Sequence, residues 1–301
     1  MTVTRSERTR ASVPAAPPAG RPVDFVVIGA MKSGTTTLFE WLAAQPDFTM
    51  PPVKEPRFFS DDERWARGPE WYARLFDRDG AGIRGEASVG YTDPARAEVA
   101  AARMRGLMPE ARLIYLVRDP LERLRSHYRH EVQRGRERRS FDHAVRDPRA
   151  PYVGFSLYHR CLAPYLDRFD RAQILVVRFE DLVSADAPAW NAVLAHVGAP
   201  PRPAPRTVHN AVAGKPRFTG PMRLLWSSGA IRAARRAPGP IRTMGRKLLL
   251  RDDDGYRRLL ESSNGTIPEA VRRRINDDER LLETRLGMSS PMWSYDGNPG
   301  A

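Results

Sequence analysis

Gly29-Ala30-Met31-Lys32-Ser33-Gly34-Thr35-Thr36-Thr37 joins two glycines, a lysine and a run of hydroxyls directly after the apolar run Phe25–Ile28. Glycine lets the backbone approach a ligand closely, and a helix opening at Thr35 would aim its free N–H groups and dipole at that ligand. This is chemistry for a phosphate-like anion. The order is not that of a nucleoside-triphosphate loop, in which lysine immediately follows the second glycine; here Lys32 precedes Gly34 and Thr35 follows it. A second pair is Arg118, which closes the apolar run Leu113–Val117, and Ser126, eight residues on. A guanidinium fork with a hydroxyl suits a terminal phosphate. Lysine is scarce, at Lys32, Lys54, Lys215 and Lys247 alone, and the first three sit in motif-like contexts.

Three strand–loop–helix units would position these groups. Short β-branched runs at 25–28, 113–117 and 173–177 read as buried strands. Helical spacing follows at 35–44, from Pro120 to about Arg134, and over about 94–107, 157–169 and 187–197. Strands alternating with helices imply an α/β fold with a central parallel sheet covered on both faces. Its carboxyl edge, where open α/β sheets bind ligands, then carries Arg118. On the helix after Pro120, Arg123, Arg125 and Arg129 read as a solvated face.

Composition narrows the class. The 301 residues carry a formal net charge of +13, enough length for a sizeable core, and one cysteine, Cys161. One cysteine excludes an intramolecular disulfide and any multi-cysteine metal site, and no carboxylate–histidine cluster has metal spacing. No run reaches the roughly 18–20 apolar residues of a membrane span, and no signal peptide is visible, so a cytoplasmic setting is expected. Residues 1–22, rich in Arg, Ser, Thr, Ala and Pro, read as disordered. Residues 23–301 read as one domain with a basic helical C-terminal part at about 221–287. Residues 215–251 hold ten basic side chains and no acid, +10 of the +13.

Together the two anion units resemble the fingerprint of the sulfotransferase superfamily that uses 3′-phosphoadenosine 5′-phosphosulfate (PAPS), and the likeness runs through most of 24–220. Lys54-Glu55-Pro56-Arg57-Phe58-Phe59 is similar to a Lys-Glu-Pro-x-Phe-Phe segment of bacterial members and to the Glu-containing segment of heparan sulfate sulfotransferases. Gly85-Glu86-Ala87-Ser88-Val89-Gly90-Tyr91 resembles a Gly-Glu-x-(Ser/Thr)-Pro-x-Tyr stretch, with Val89 where proline is usual and Ala87 where some members place a functional lysine. Gly214-Lys215-Pro216-Arg217 resembles the basic loop that closes over the nucleotide, and Ser156-Leu157-Tyr158 a segment beside it.

The resemblance implies a P-loop-like sulfotransferase fold and transfer from PAPS, leaving PAP, to a hydroxyl or amine of a small-molecule or glycan acceptor, without a metal. It implies that Lys32, Ser33, Gly34, Thr35, Thr36 and Thr37 hold the 5′-phosphosulfate, with Lys32 on the leaving oxygen. Arg118 and Ser126 would hold the 3′-phosphate, with Tyr158, Lys215 and Arg217 also at the nucleotide. Glu55 is the leading general base, with His127, His130 and His159 as rivals; an ion pair from Glu55 to Lys54 or Arg57 is the plainer reading of that loop. Glu86 is either a second acceptor-site carboxylate or a strand-end cap. The aromatic side chains of Phe58, Phe59, Trp65, Trp71 and Tyr72 line an acceptor pocket or, better, belong to the core. Two rival classes remain: a P-loop-like ATP-dependent kinase, and a basic protein that contacts anionic membranes through 221–251. No nucleic-acid motif is present.

Overall fold

The structure is a computed structural model that describes residues 22–76, 82–207 and 254–293, with the backbone of 217–218 and 250–251. The expectations for residues 1–21, Lys215 and most of the basic segment 221–251 lie outside the described residues.

Strands β1 (Phe25–Gly29), β2 (Phe48–Thr49), β3 (Ile83–Ala87), β4 (Arg112–Val117) and β5 (Ile174–Arg178) form one parallel sheet in the order β2-β3-β1-β4-β5. β1 and β4 each cover their apolar run with one residue added, and β5 begins and ends one residue later than its run. Side chains alternate along each strand. Val26, Ile28, Leu113, Tyr115 and Val117 face one layer, and Phe25, Val27, Ile114 and Leu116 the other.

The first layer holds helices α3 (Pro69–Ala73), α4 (Ala97–Leu107), α8 (Tyr158–Leu166) and α12 (Glu269–Leu286); the second holds α1 (Thr35–Ala43), α9 (Phe179–Val183) and α10 (Pro188–Val197). A short α2 (Asp62–Trp65) stands before α3. A third cluster gathers α5 (Pro120–Gln133), α6 (Phe141–Arg146), α7 (Pro151–Gly154) and α11 (Asp254–Ser262). Phe58, Phe59 and Tyr72 are fully buried in the first layer, Tyr72 stacked on Phe58 at 4.6 Å, so these rings are core and not an acceptor pocket. A two-residue strand β6 (Arg217–Phe218) pairs antiparallel with β7 (Leu250–Arg251) and lies beside α5. Among the described residues no helix is long and apolar enough to cross a membrane.

Because all five strands run the same way, Gly29, Ala87, Val117 and Arg178 end on one edge, with β1 between β3 and β4 where the strand order reverses. Ligands in open α/β sheets bind at such a reversal.

Candidate functional site

The loop after β1 leaves the start of α1 without a side-chain cap. Gly34, the residue before α1, has φ 88°, and the first turn of α1 contains no acid. Lys32 is also left-handed, at φ 70°, while Ser33 between them is not. Alternation of this kind gathers N–H groups on one side of a loop, and here the Ser33 N–H is spent on the Ala30 carbonyl oxygen at 3.2 Å. Only glycine fits at position 34, since a Cβ there would lie 2.2 Å from the Phe179 ring. Ser33, Thr35 and Thr37 are buried, and Lys32 and Thr36 half-buried.

Arg118 follows β4 directly. Its guanidinium is half-buried, 3.8 Å from Glu122 and 5.9 Å from the centre of the Phe179 ring. Asp119 caps α5 by accepting from the Leu121 and Glu122 N–H groups, and Pro120 fills the first turn. That start orients α5 so that Ser126 is buried. Tyr158 joins the two halves: its hydroxyl donates to the Arg118 main-chain oxygen at 2.7 Å, accepts from the Arg118 N–H at 3.3 Å, and lies 3.5 Å from Ser33 Oγ. The Tyr158 helix, α8, is capped from another element. Asp278 of α12 accepts from the N–H groups of His159 and Arg160 at 2.8 and 3.1 Å.

Arg123 departs from the solvated face expected of it. It has 0% exposure. Its Nε donates to Ser156 Oγ at 2.8 Å, its terminal nitrogens reach the Tyr152 and Met31 carbonyl oxygens, and one faces His127 Nδ1 at 3.3 Å. Arg125 and Arg129 are also committed, bonding the turn Ser263–Gly265 that follows α11. The reason is tertiary: α7, α11 and the turns beside them pack over a helix face that would otherwise meet water.

Glu55 sits on the same edge, its N–H bonded to the Ala87 oxygen at the end of β3. Burial would raise its carboxyl, but Lys54 at 3.1 Å and Arg57 at 3.0 Å outweigh burial and hold it below the usual range. Both anticipated ion pairs form. Glu55 and Arg57 each have positive φ, 63° and 54°. Beneath them Glu86 is wholly buried and accepts from the Tyr72, Tyr91 and Ser88 hydroxyls at 2.7, 2.6 and 2.7 Å. Burial pushes its carboxyl up, and these three bonds only partly oppose that. Glu86 is therefore an internal anchor, shut off from solvent.

Among the histidines, His127 is buried and neutral: burial, then the Arg123 charge, hold it well below its ordinary value. With Nδ1 accepting from Arg123, its proton sits on Nε2. His159 is half-buried, with its N–H on Asp278. Of the basic loop residues, the backbone of Arg217 runs beside α5. Sequence reasoning missed Arg123, Asp278 and the anchoring role of Glu86. The one available signal was for Arg123, whose i, i+3 spacing puts it on the same helix face as Ser126.

A family model described as "Sulfotransferase domain" matches residues 22–208. The chain is 36% identical over 114 residues to a Dictyostelium discoideum protein named membrane-associated sulfotransferase kil1, covering 36% of this chain and 23% of that protein. It is 30% identical over 171 residues to mouse heparan sulfate glucosamine 3-O-sulfotransferase 3B1, covering 54% and 42%. The chain thus spans less than half the length of these curated relatives. Among solved structures, a sulfotransferase from Alicyclobacillus acidocaldarius aligns with a TM-score of 0.54 and 27% identity over 78% of this chain and 99% of that one.

Proposed function

Because the chain belongs to the sulfotransferase family, we propose that it transfers a sulfuryl group from PAPS to a hydroxyl or amine of a small-molecule or glycan acceptor. The observation that carries this reading is the Tyr158 hydroxyl, which ties the Ser33 loop to Arg118 and so unites both expected halves of a nucleotide site on one sheet edge. The residues fit such a ligand: an uncapped helix start without acids, hydroxyls at Thr35–Thr37, and a cation on either side.

Bound there, PAPS would supply an activated sulfuryl group for in-line displacement. The Gly34, Thr35 and Thr36 N–H groups at the start of α1 would cradle the 5′-phosphosulfate, and Lys32 would bond the oxygen on which charge develops. Arg118 and Ser126 would hold the 3′-phosphate, and fixing both ends of the donor leaves the reacting atoms a single approach. Glu55, kept ionised by Lys54 and Arg57, would accept the proton of the acceptor. Lys215 and Arg217 are assigned to closure over the nucleotide. A glycan is the acceptor class to test first, since the mouse relative is named for heparan sulfate glucosamine; the cytoplasmic setting belongs to the same reading, which the single buried Cys161 suits.

Titration calorimetry of the full chain with PAP and with ATP–Mg²⁺ tests the reading. PAP is expected to bind and ATP–Mg²⁺ not to, and Arg118→Ala to weaken PAP. A preference for ATP–Mg²⁺ would favour the kinase reading instead. A membrane role for 221–251 is tested separately, by sedimentation with anionic vesicles with and without that segment.

A further inference from the structure

We infer that Arg123 is a positioning residue that sets a fixed positive charge behind the Met31–Gly34 loop, and that a nucleotide's 5′-anion is the counter-charge it lacks. The inference rests on the proposed nucleotide site in taking the ligand to carry such an anion.

Among the described residues every group that meets the Arg123 guanidinium is neutral: the Ser156 hydroxyl, the Tyr152 and Met31 carbonyl oxygens, and the His127 ring nitrogen. Among the described residues no carboxylate pairs with it, although the side chain is fully buried. Burial lowers it only to about 10, so it stays charged at neutral pH. A buried charge without a counter-ion is strongly unfavourable unless something compensates it. Four neutral acceptors satisfy its hydrogen bonds but supply no opposing charge.

The Met31 contact shows on which side of the loop this charge lies. The C=O and N–H of one trans peptide point in opposite directions. Binding the Met31 oxygen at 3.5 Å therefore turns the Lys32 N–H away from Arg123. With left-handed Lys32 and Gly34 on either side of Ser33, that N–H lies with the donors gathered on the opposite side of the loop. Arg123 thus stands on the carbonyl side, biasing the loop's N–H groups toward an anion and adding its own field through a dry, low-dielectric layer. His127, neutral and donating no proton at Nδ1, keeps the fork in that orientation.

The test compares PAP with adenosine 3′-monophosphate, which keeps the 3′-phosphate but has no 5′-anion, by calorimetry on the full chain. Arg123→Met should weaken PAP by about tenfold or more while leaving adenosine 3′-monophosphate unchanged. Arg123→Lys, which keeps a charge without the fork, should recover part of the PAP affinity. The ratio of the two affinities is the decisive readout, because loss of mere structural support lowers both together. Equal losses, or no loss, overturn the inference. If Arg123→Met does not fold, the lysine variant carries the same comparison, a selective PAP loss supporting and an equal loss overturning it. A wild-type chain that fails to bind PAP overturns the nucleotide reading itself, and this inference with it.

Discussion

The Ser88 hydroxyl donates to the buried Glu86 carboxylate at 2.7 Å, and the same oxygen accepts the Arg57 N–H at 3.1 Å. A carboxylate inside the core thereby holds the main chain of a loop whose Glu55 and Arg57 both have positive φ, a conformation that persists only when its surroundings over-determine it. Glu86 acts on Glu55 through one hydroxyl and one backbone bond.

Replacing Glu86 with Leu should orphan the Tyr72, Tyr91 and Ser88 hydroxyls. At about 1–3 kcal/mol for each buried unsatisfied donor, the variant should lose on the order of 3 kcal/mol or more of stability in urea denaturation. Glu86→Gln keeps an acceptor in place and should lose less. The raised carboxyl also carries a pH signature. Its penalty is absent below the ordinary carboxylate range and develops as pH rises from there toward the raised value, whereas glutamine shows no such dependence.

Glu55→Gln should lower kcat by roughly 10²–10⁴-fold with PAP affinity intact, as loss of a general base does. The depressed carboxyl keeps its two ion pairs above the ordinary carboxylate range and loses them as pH falls through the lowered value. Arg57→Ala removes one cation and raises that value, so the acid limb of the kcat profile should move to higher pH. An unmoved limb would assign the base to another residue.

Gly34→Ala introduces a Cβ 2.2 Å from the Phe179 ring at φ 88°. Left-handed strain alone is worth about 1–3 kcal/mol, and the clash adds to it. PAP binding should be lost, and a second change, Phe179→Ala, should restore stability in part because it removes the clash but not the strain. Thermal unfolding with and without PAP reads both effects.

Asp278→Ala should cost about 1 kcal/mol, the usual worth of a helix cap, although Asp278 lies far along the chain from the helix it caps. Since α8 carries Tyr158, PAP affinity should fall as well. Tyr158→Phe, which removes the donor to the Arg118 oxygen, should weaken PAP without disturbing the cap. Calorimetry on the two variants separates the support from the contact it serves.

The strand runs, the helix at Pro120 and the turn between β1 and α1 at 29–37 were all legible from the residues, because each is local. Alternation, a proline at a first turn and a glycine before a hydroxyl run state their own geometry within a dozen residues. The same reading made Arg123 part of a solvated face, since a charged residue between leucines on a helix has the same pattern whether or not another element covers it. Glu86 was equally ambiguous at a strand end.

The amino-acid sequence by itself determined the family, the parallel α/β sheet and which residue types stand in the loop and at Arg118. Tertiary structure alone decided which charges are internal. Tyr152 and Ser156 converge on Arg123 from one stretch of the chain and Met31 from another, and Tyr72 and Tyr91 close on Glu86 from two. Burial, and the absence of a counter-ion among the described residues, are properties of that convergence, because they depend on what lies within a few ångströms in space and not on what lies beside a residue in the chain.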